Sequence, residues 1–218
     1  MKRFLGIIAL ALICAINGIG GLAAQAAPIG KATADFDNAR PDKGETAWGR
    51  LAADAVRTAA RADIALINAG ALQNGALKAG SIEPANINSL LAFGDDAIVL
   101  VKLTGEQLRA GLELAAQSYP TGSAAFLQCS GFTATFDPKA ARNHRVTSVR
   151  FQGREVAAGD SITAAMPVSL ANGANGFFRV WKADGAMRSG ATLRSAITDF
   201  IRAKGEVSPD GAARFAPQ

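Results

Sequence analysis

The chain has 218 residues, 49% hydrophobic and 19% charged, with a formal net charge of +5 and a single histidine. That length suits one hydrophobic core and is thin for two, at about 150 residues per domain. Its basic residues are scattered, with no run of them and little aromatic interleaving, so neither a nucleic-acid nor a membrane surface is implied.

Lys2 and Arg3 open the chain, Phe4 to Ile16 run without a charge, and Ala24-Gln25-Ala26 forms a small-x-small cleavage pattern. Those are the parts of a secretory signal in order, and the apolar run is shorter than the about 20 residues a membrane span needs. Residues 1–26 are therefore expected to be a cleaved signal peptide, and the mature protein to be periplasmic or secreted, without membrane contact. Cleavage also removes Cys14, which leaves Cys129 with no intramolecular disulfide partner. The ordinary role of such a residue is a small buried hydrophobe.

Residues 27–44 are polar and mixed and are expected to form a loose lead-in. Leu51, Ala52, Ala55, Val56 and Ala59 recur at helical spacing, which predicts an amphipathic helix over about 46–60. Asp63 to Ile67 is a short, nearly all-apolar run that fits a buried strand, ending in a loop of Gly and Asn residues from Asn68 to Gly80. A short helix follows around Pro84 to Leu91, since proline is tolerated in a first helical turn. Ala97 to Leu103 is a strand rich in β-branched residues. Thr104 then opens a helix, with Gln107 placed to complete a capping box.

Past Tyr119-Pro120-Thr121-Gly122 the pattern becomes β, over Phe132–Phe136, Val146–Phe151 and Ile162–Val168. A second loop of Asn and Gly, Asn172 to Gly176, precedes a closing helix marked by Leu193, Ile197, Phe200 and Ile201. Residues 205–218 are expected to be a loose tail. Interleaved helices and strands predict an α/β (α+β) fold, a mixed β-sheet flanked by helices.

The chain lacks the strings that carry common hydrolytic and nucleotide chemistry. There is no H-E-x-x-H, no G-x-S-x-G, no Walker loop and no G-x-G-x-x-G. A dinuclear phosphoesterase centre needs several His and Asp ligands around two metals. His144, between Asn143 and Arg145, fits a solvated turn better than a catalytic base. Asp95-Asp96 fits a turn better than an acid–base couple, because adjacent residues entering a strand point to opposite faces.

What remains is the two loops, whose glycines let backbone groups approach a ligand closely. The strings around them resemble the C-terminal domain of the 5′-nucleotidase family. Glu45-Thr46-Ala47-Trp48-Gly49-Arg50-Leu51 is similar to E-x-N-x-G-N-L. Asp63 to Gln73 resembles A-D-I-A-L-x-N-G-G-G-I-R, and Leu91-Ala92-Phe93-Gly94-Asp95 resembles L-P-F-G-N. Leu103-Thr104-Gly105 matches L-T-G, Phe126 to Gly131 is similar to F-L-Q-V-S-G, and Leu170 to Phe177 resembles L-A-N-G-G-D-G-F. The six strings stand in the family's order across residues 45–204.

The resemblance implies a substrate-binding domain occurring without the family's metallophosphoesterase domain, hence nucleoside recognition without a catalytic centre or metal site of its own. Divalent metals would enter only with a partner phosphoesterase. Asn68 and Phe126 fall on positions the family turns to its ligand, Phe126 being either a stacking platform or a core aromatic beside Leu127. Gly70, Gly173 and Gly176 keep the loop backbones open. Elsewhere the pattern departs: Gln73 replaces an arginine that meets the anionic part of the substrate, and Asp42 replaces another. Ser169 replaces a second stacking aromatic, and Asn175 an aspartate facing the ribose. Losing the arginine removes a charge-assisted contact. Three functions follow as expectations: an exported nucleoside-binding module, one chain of a split 5′-nucleotidase whose metallophosphoesterase is separate, or a protein-interaction scaffold on a degenerate pocket.

Overall fold

The computed structural model describes residues 27–218; the expected signal segment lies outside the described residues. Among the described residues are five α-helices: α1 (Ala47–Ala60), α2 (Pro84–Asn88), α3 (Gly105–Ala116), α4 (Val168–Ala171) and α5 (Leu193–Lys204). Helix α1 starts where Thr46 accepts the Gly49 amide at 2.9 Å. At α3 the expected capping box is formed: Thr104 accepts the Gln107 amide, and the Gln107 side chain accepts that of Thr104. Each cap satisfies amides that the first helical turn leaves unpaired.

The frame is a five-stranded mixed sheet in the order Met187–Thr192, Ala97–Thr104, Ser161–Pro167, Ile64–Asn68, Leu127–Ser130. Only Ser161–Pro167 and Ile64–Asn68 run parallel; the other neighbours are antiparallel. Strand periodicity sends alternate residues to opposite faces. Ala65 and Ile67 thus join a core with Trp48 and Val56 of α1 and Ile197 and Ile201 of α5. Ile64 and Leu66 face a second core with Leu108 and Leu112 of α3 and the rings Phe126, Phe132, Phe136 and Phe215. Burial on both faces is why this strand reads as a continuous apolar run.

A four-stranded sheet covers that second core, in the order Arg154–Glu155, Val146–Phe151, Phe132–Phe136, Phe215–Pro217. Here the expected loose tail is corrected: Phe215–Pro217 pairs parallel to Phe132–Phe136, and Glu206–Val207 pairs with Gly30–Ala32. The lead-in is corrected as well. Gly30–Ala32 also pairs with Gly80–Ile82, and Phe36–Asn38 pairs with Gly75–Leu77. Isolated apolar residues explain both corrections. Ile29, Ala32 and Phe36 enter one core and Phe215 the other, too sparsely spaced to register as a period.

Glu45 ties the C-terminal segment to the sheet, its carboxylate accepting the amides of Cys129 at 2.7 Å, Phe215 at 3.0 Å, and Arg214. Burial pushes the Glu45 carboxyl above its usual range, and the three amides pull the other way. Cys129 is buried and unpaired, as its sequence context suggested. Burial, then the neighbouring Glu45 charge, pushes its thiol well up, which disfavours the reactive thiolate.

Candidate functional site

Both Asn- and Gly-rich loops lie at one end of the central sheet, where the parallel strands Ile64–Asn68 and Ser161–Pro167 terminate. Ligand crevices of open α/β sheets form at such carboxyl ends. After Asn68 the chain makes a 3-10 turn, Ala69–Ala71, fastened by bonds from the Ala69 amide to Phe126 O (2.7 Å) and from the Gly70 amide to Ala124 O (3.0 Å). Asn68 is only 3% exposed, its Nδ2 makes one long bond of 3.4 Å to Ala124 O, and its Oδ1 is buried with no partner. Buried polar atoms are normally paired, so this orphan acceptor is an uncompensated cost in the fold.

The second loop leaves α4 through Gly173 at φ +91°. A Cβ there would fall 2.5 Å from the Phe178 amide nitrogen, so only glycine fits. Asn175, at φ +55°, supplies the left-handed residue that brings the loop back. Gly176 is also left-handed, at φ +95°. The two loops meet at Gly70: a Cβ added to it would lie 3.1 Å from Asn68 Nδ2 and 3.3 Å from Asn175 Nδ2. The structure therefore brings together Asn68, Gly70 and Asn175, while Gly173 and Gly176 shape the loop behind them.

A cleft of about 530 Å³ is lined by Leu91, Phe93, Asp95, Asp96, Ser169 and Arg194 among others, with none of Asn68, Gly70, Gln73 and Asn175 on its wall. It is continuous with the first loop through the backbone, since the Ala92 amide donates to Ala71 O at 2.9 Å. Gln73 stands at the same seam: its amide donates to Leu90 O, its carbonyl accepts from Asn38 Nδ2, and the residue is exposed. Phe93 is 62% exposed on the cleft wall. Opposite, the Ser169 hydroxyl donates to Asp96 Oδ2 at 2.5 Å, and Arg194 Nη1 donates to Asp95 Oδ1 at 2.8 Å. Arg194 Nε is buried without a partner. Two carboxylates and one guanidinium give this wall a net formal charge of −1. Asp95 and Asp96 take separate partners, consistent with turn residues and not a shared-proton pair.

Phe126 departs from its expected place at the site. It is 1% exposed and stacks on Phe215, with centroids 5.3 Å apart and planes 28° off parallel. Its ring closes the second core, and the core alternative weighed for it is the one the packing satisfies. The exposed ring at the site is Phe93, which sequence reasoning passed over. A usable signal was present: a large aromatic next to Gly94-Asp95-Asp96, outside any helical or strand period, has no core to enter. Asp42 does not face the cleft chemistry; it is held by Arg40 in a two-bond ion pair at 2.9 and 2.7 Å.

Comparison with known proteins agrees with this architecture. A family model described as "5′-nucleotidase, C-terminal domain" matches residues 28–183. A 5′-nucleotidase of Vibrio parahaemolyticus is 25% identical over 173 residues, covering 79% of this chain and 29% of that protein. The trifunctional nucleotide phosphoesterase protein YfkN of Bacillus subtilis is 31% identical over 112 residues, 50% of this chain and 8% of its own length. Among solved structures, the 5′-nucleotidase precursor from Thermus thermophilus superposes with a TM-score of 0.81 at 24% identity, covering 89% of this chain and 39% of that one. The chain thus spans less than a third of the Vibrio relative. With the match extending over most of the described residues, the chain belongs to the 5′-nucleotidase C-terminal domain family.

Proposed function

We propose that this domain is an exported nucleoside-recognition module, with Phe93 as the surface on which the base stacks and Asn68, Gln73 and Asn175 as polar contacts. The observation that carries this is the exposed Phe93 ring on a cleft wall that is hydrogen-bonded to the first loop through the Ala92 amide and Ala71 O. Leaving a phenyl ring in water forgoes about 1.5–3 kcal/mol of burial, and an aromatic face recovers it on any base. The net negative wall around Asp95 and Asp96, together with neutral Gln73, favours a neutral nucleoside over a nucleotide. Among the described residues no group of three or more His, Cys, Asp or Glu could hold a metal ion. A second reading is a split 5′-nucleotidase in which this domain serves the substrate side; the shared stretch is 29% of the Vibrio protein. In that case a separate metallophosphoesterase would supply the divalent metals.

Calorimetric titration with adenosine, uridine and AMP tests the proposal. Adenosine or uridine is expected to bind tighter than about 100 μM, roughly 5.5 kcal/mol, with AMP no tighter at this cleft. Phe93→Ala is expected to weaken binding by about 1–3 kcal/mol while leaving the fold intact. Unchanged nucleoside affinity in that variant would falsify the assignment.

A further inference from the structure

At the opposite end of the central sheet, where strand Ile64–Asn68 begins, Arg57, Arg150 and Arg214 line one cleft of about 440 Å³. Their roles differ. Arg214 is neutralised: its Nη1 and Nη2 donate to the two oxygens of Asp54 at 2.7 and 2.8 Å, and Nη2 also reaches Asp210 at 2.7 Å. Asp54, the one carboxylate lining the cleft among the described residues, is thereby consumed, and it also accepts the Ser130 hydroxyl at 2.5 Å. The same Ser130 oxygen accepts Arg57 Nε at 2.9 Å, which fixes the Arg57 guanidinium but leaves its two terminal nitrogens without hydrogen bonds among the described residues.

Gly131 makes this placement possible. It sits at φ +89°, and a Cβ there would lie 2.9 Å from Arg57 Cδ and 2.3 Å from Asp63 O. Arg150 approaches from the neighbouring sheet, opposite Thr133 in register, with one bond from Nη2 to Gly153 O at 2.6 Å. Glu155, its partner in the adjoining strand, is turned to the Ser148 hydroxyl and the Val149 amide. Two guanidiniums, one of them fixed by a bridged hydroxyl, therefore line one space whose own carboxylate, Asp54, is taken by Arg214. Glu155 lies off the lining and is felt by Arg150 through charge alone.

We propose that this cleft is an oxyanion site, distinct from the nucleoside cleft, that takes a tetrahedral phosphate or a phosphate monoester between Arg57 and Arg150, with the Thr133 hydroxyl as an additional donor. Arginine's planar fork suits two oxygens of one phosphate, and each such bond is charge-assisted. The cleft is open to solvent, so its affinity falls as salt rises.

The test is titration of the full chain with inorganic phosphate, sulfate and phenyl phosphate at low, matched ionic strength, with chloride as the control. Inorganic phosphate is expected to bind saturably in the millimolar range or tighter. Arg57→Gln and Arg150→Gln are each expected to weaken it at least five-fold, and adenosine titration to be unchanged in both. Arg150 is exposed and makes one backbone bond, so its variant keeps the fold even if Arg57→Gln does not. Phenyl phosphate binding as well as phosphate would assign the site to monoesters, and phosphate alone to the free ion. Absence of saturation, or phosphate affinity unchanged in Arg150→Gln, would overturn the proposal. Because adenosine is read separately, failure here leaves the nucleoside cleft unaffected, and failure there leaves this one.

Discussion

The two ends of the central sheet handle polar groups in opposite ways. Around Glu45, Asp54, Arg214 and Asp210, nearly every donor finds an acceptor: Arg214 alone makes bonds to Asp54, Asp210 and the Cys129 carbonyl, and Arg50 joins through Asp210. Around Asn68 and Arg194, two buried polar atoms are left unpaired, and a phenyl ring stands in solvent. The first arrangement holds a fold together, because a satisfied buried network resists opening. The second is costly to a folded chain unless something else completes it. The contrast separates a structural network around Arg214, which backs the Arg57–Arg150 cleft, from the open surface around Asn68 and Phe93.

The sharpest way to break that contrast is through the ring once expected at the nucleoside site. Phe126→Ala should open a cavity against Phe215 and destabilise by about 3–5 kcal/mol, read as a lowered urea midpoint. A loss near that of Phe93→Ala, within about 0.5 kcal/mol, would return Phe126 to the surface. Next comes the network itself. Arg214→Met leaves Asp54 with the Ser130 hydroxyl and Asp210 with Arg50, and with those carboxylates 31% and 45% exposed it should cost about 1–3 kcal/mol. Nucleoside titration of that variant at a temperature where it is folded should be unchanged; a parallel loss would mean the two ends are coupled.

The smallest effect concerns Glu45. Its folded carboxyl is raised above the unfolded value by burial. A raised carboxylate contributes stability below the unfolded value, about pH 4.3, and that contribution is lost as pH rises through the folded value. Wild-type stability should therefore carry a falling component in that window, which Glu45→Gln removes even though it also loses an acceptor for the tail amides. Identical pH slopes in the two proteins would show that Glu45 is not the group responsible.

Much of this was legible in the chain. The strand at Asp63–Ile67, the capping box at Thr104 and the two loops each carry a local signal: β-branched or apolar runs, a Thr-x-x-Gln spacing, clustered Gly and Asn. The strand runs one residue later than the apolar run suggests, Ile64–Asn68, and so places Asn68 at its very end. The lead-in and tail strands were not legible, because three-residue strands such as Phe36–Asn38 have no period and exist only through distant partners. The choice between stacking platform and core aromatic for Phe126 was open for the same reason, and Phe93 was not singled out. Sequence supplies two aromatics beside small residues, and only the arrival of Phe215, 89 positions further on, decides which one is covered.

That late arrival has a consequence for how the protein folds. The second core is complete only when Phe215 lies against Phe126 and Phe136, and the sheet that covers it gains its last strand only then. The aromatic cluster can therefore close only once residues as far as Phe215 are in place. Until that moment the incompletely folded chain carries open phenyl rings and an unpaired strand edge, surfaces prone to aggregation.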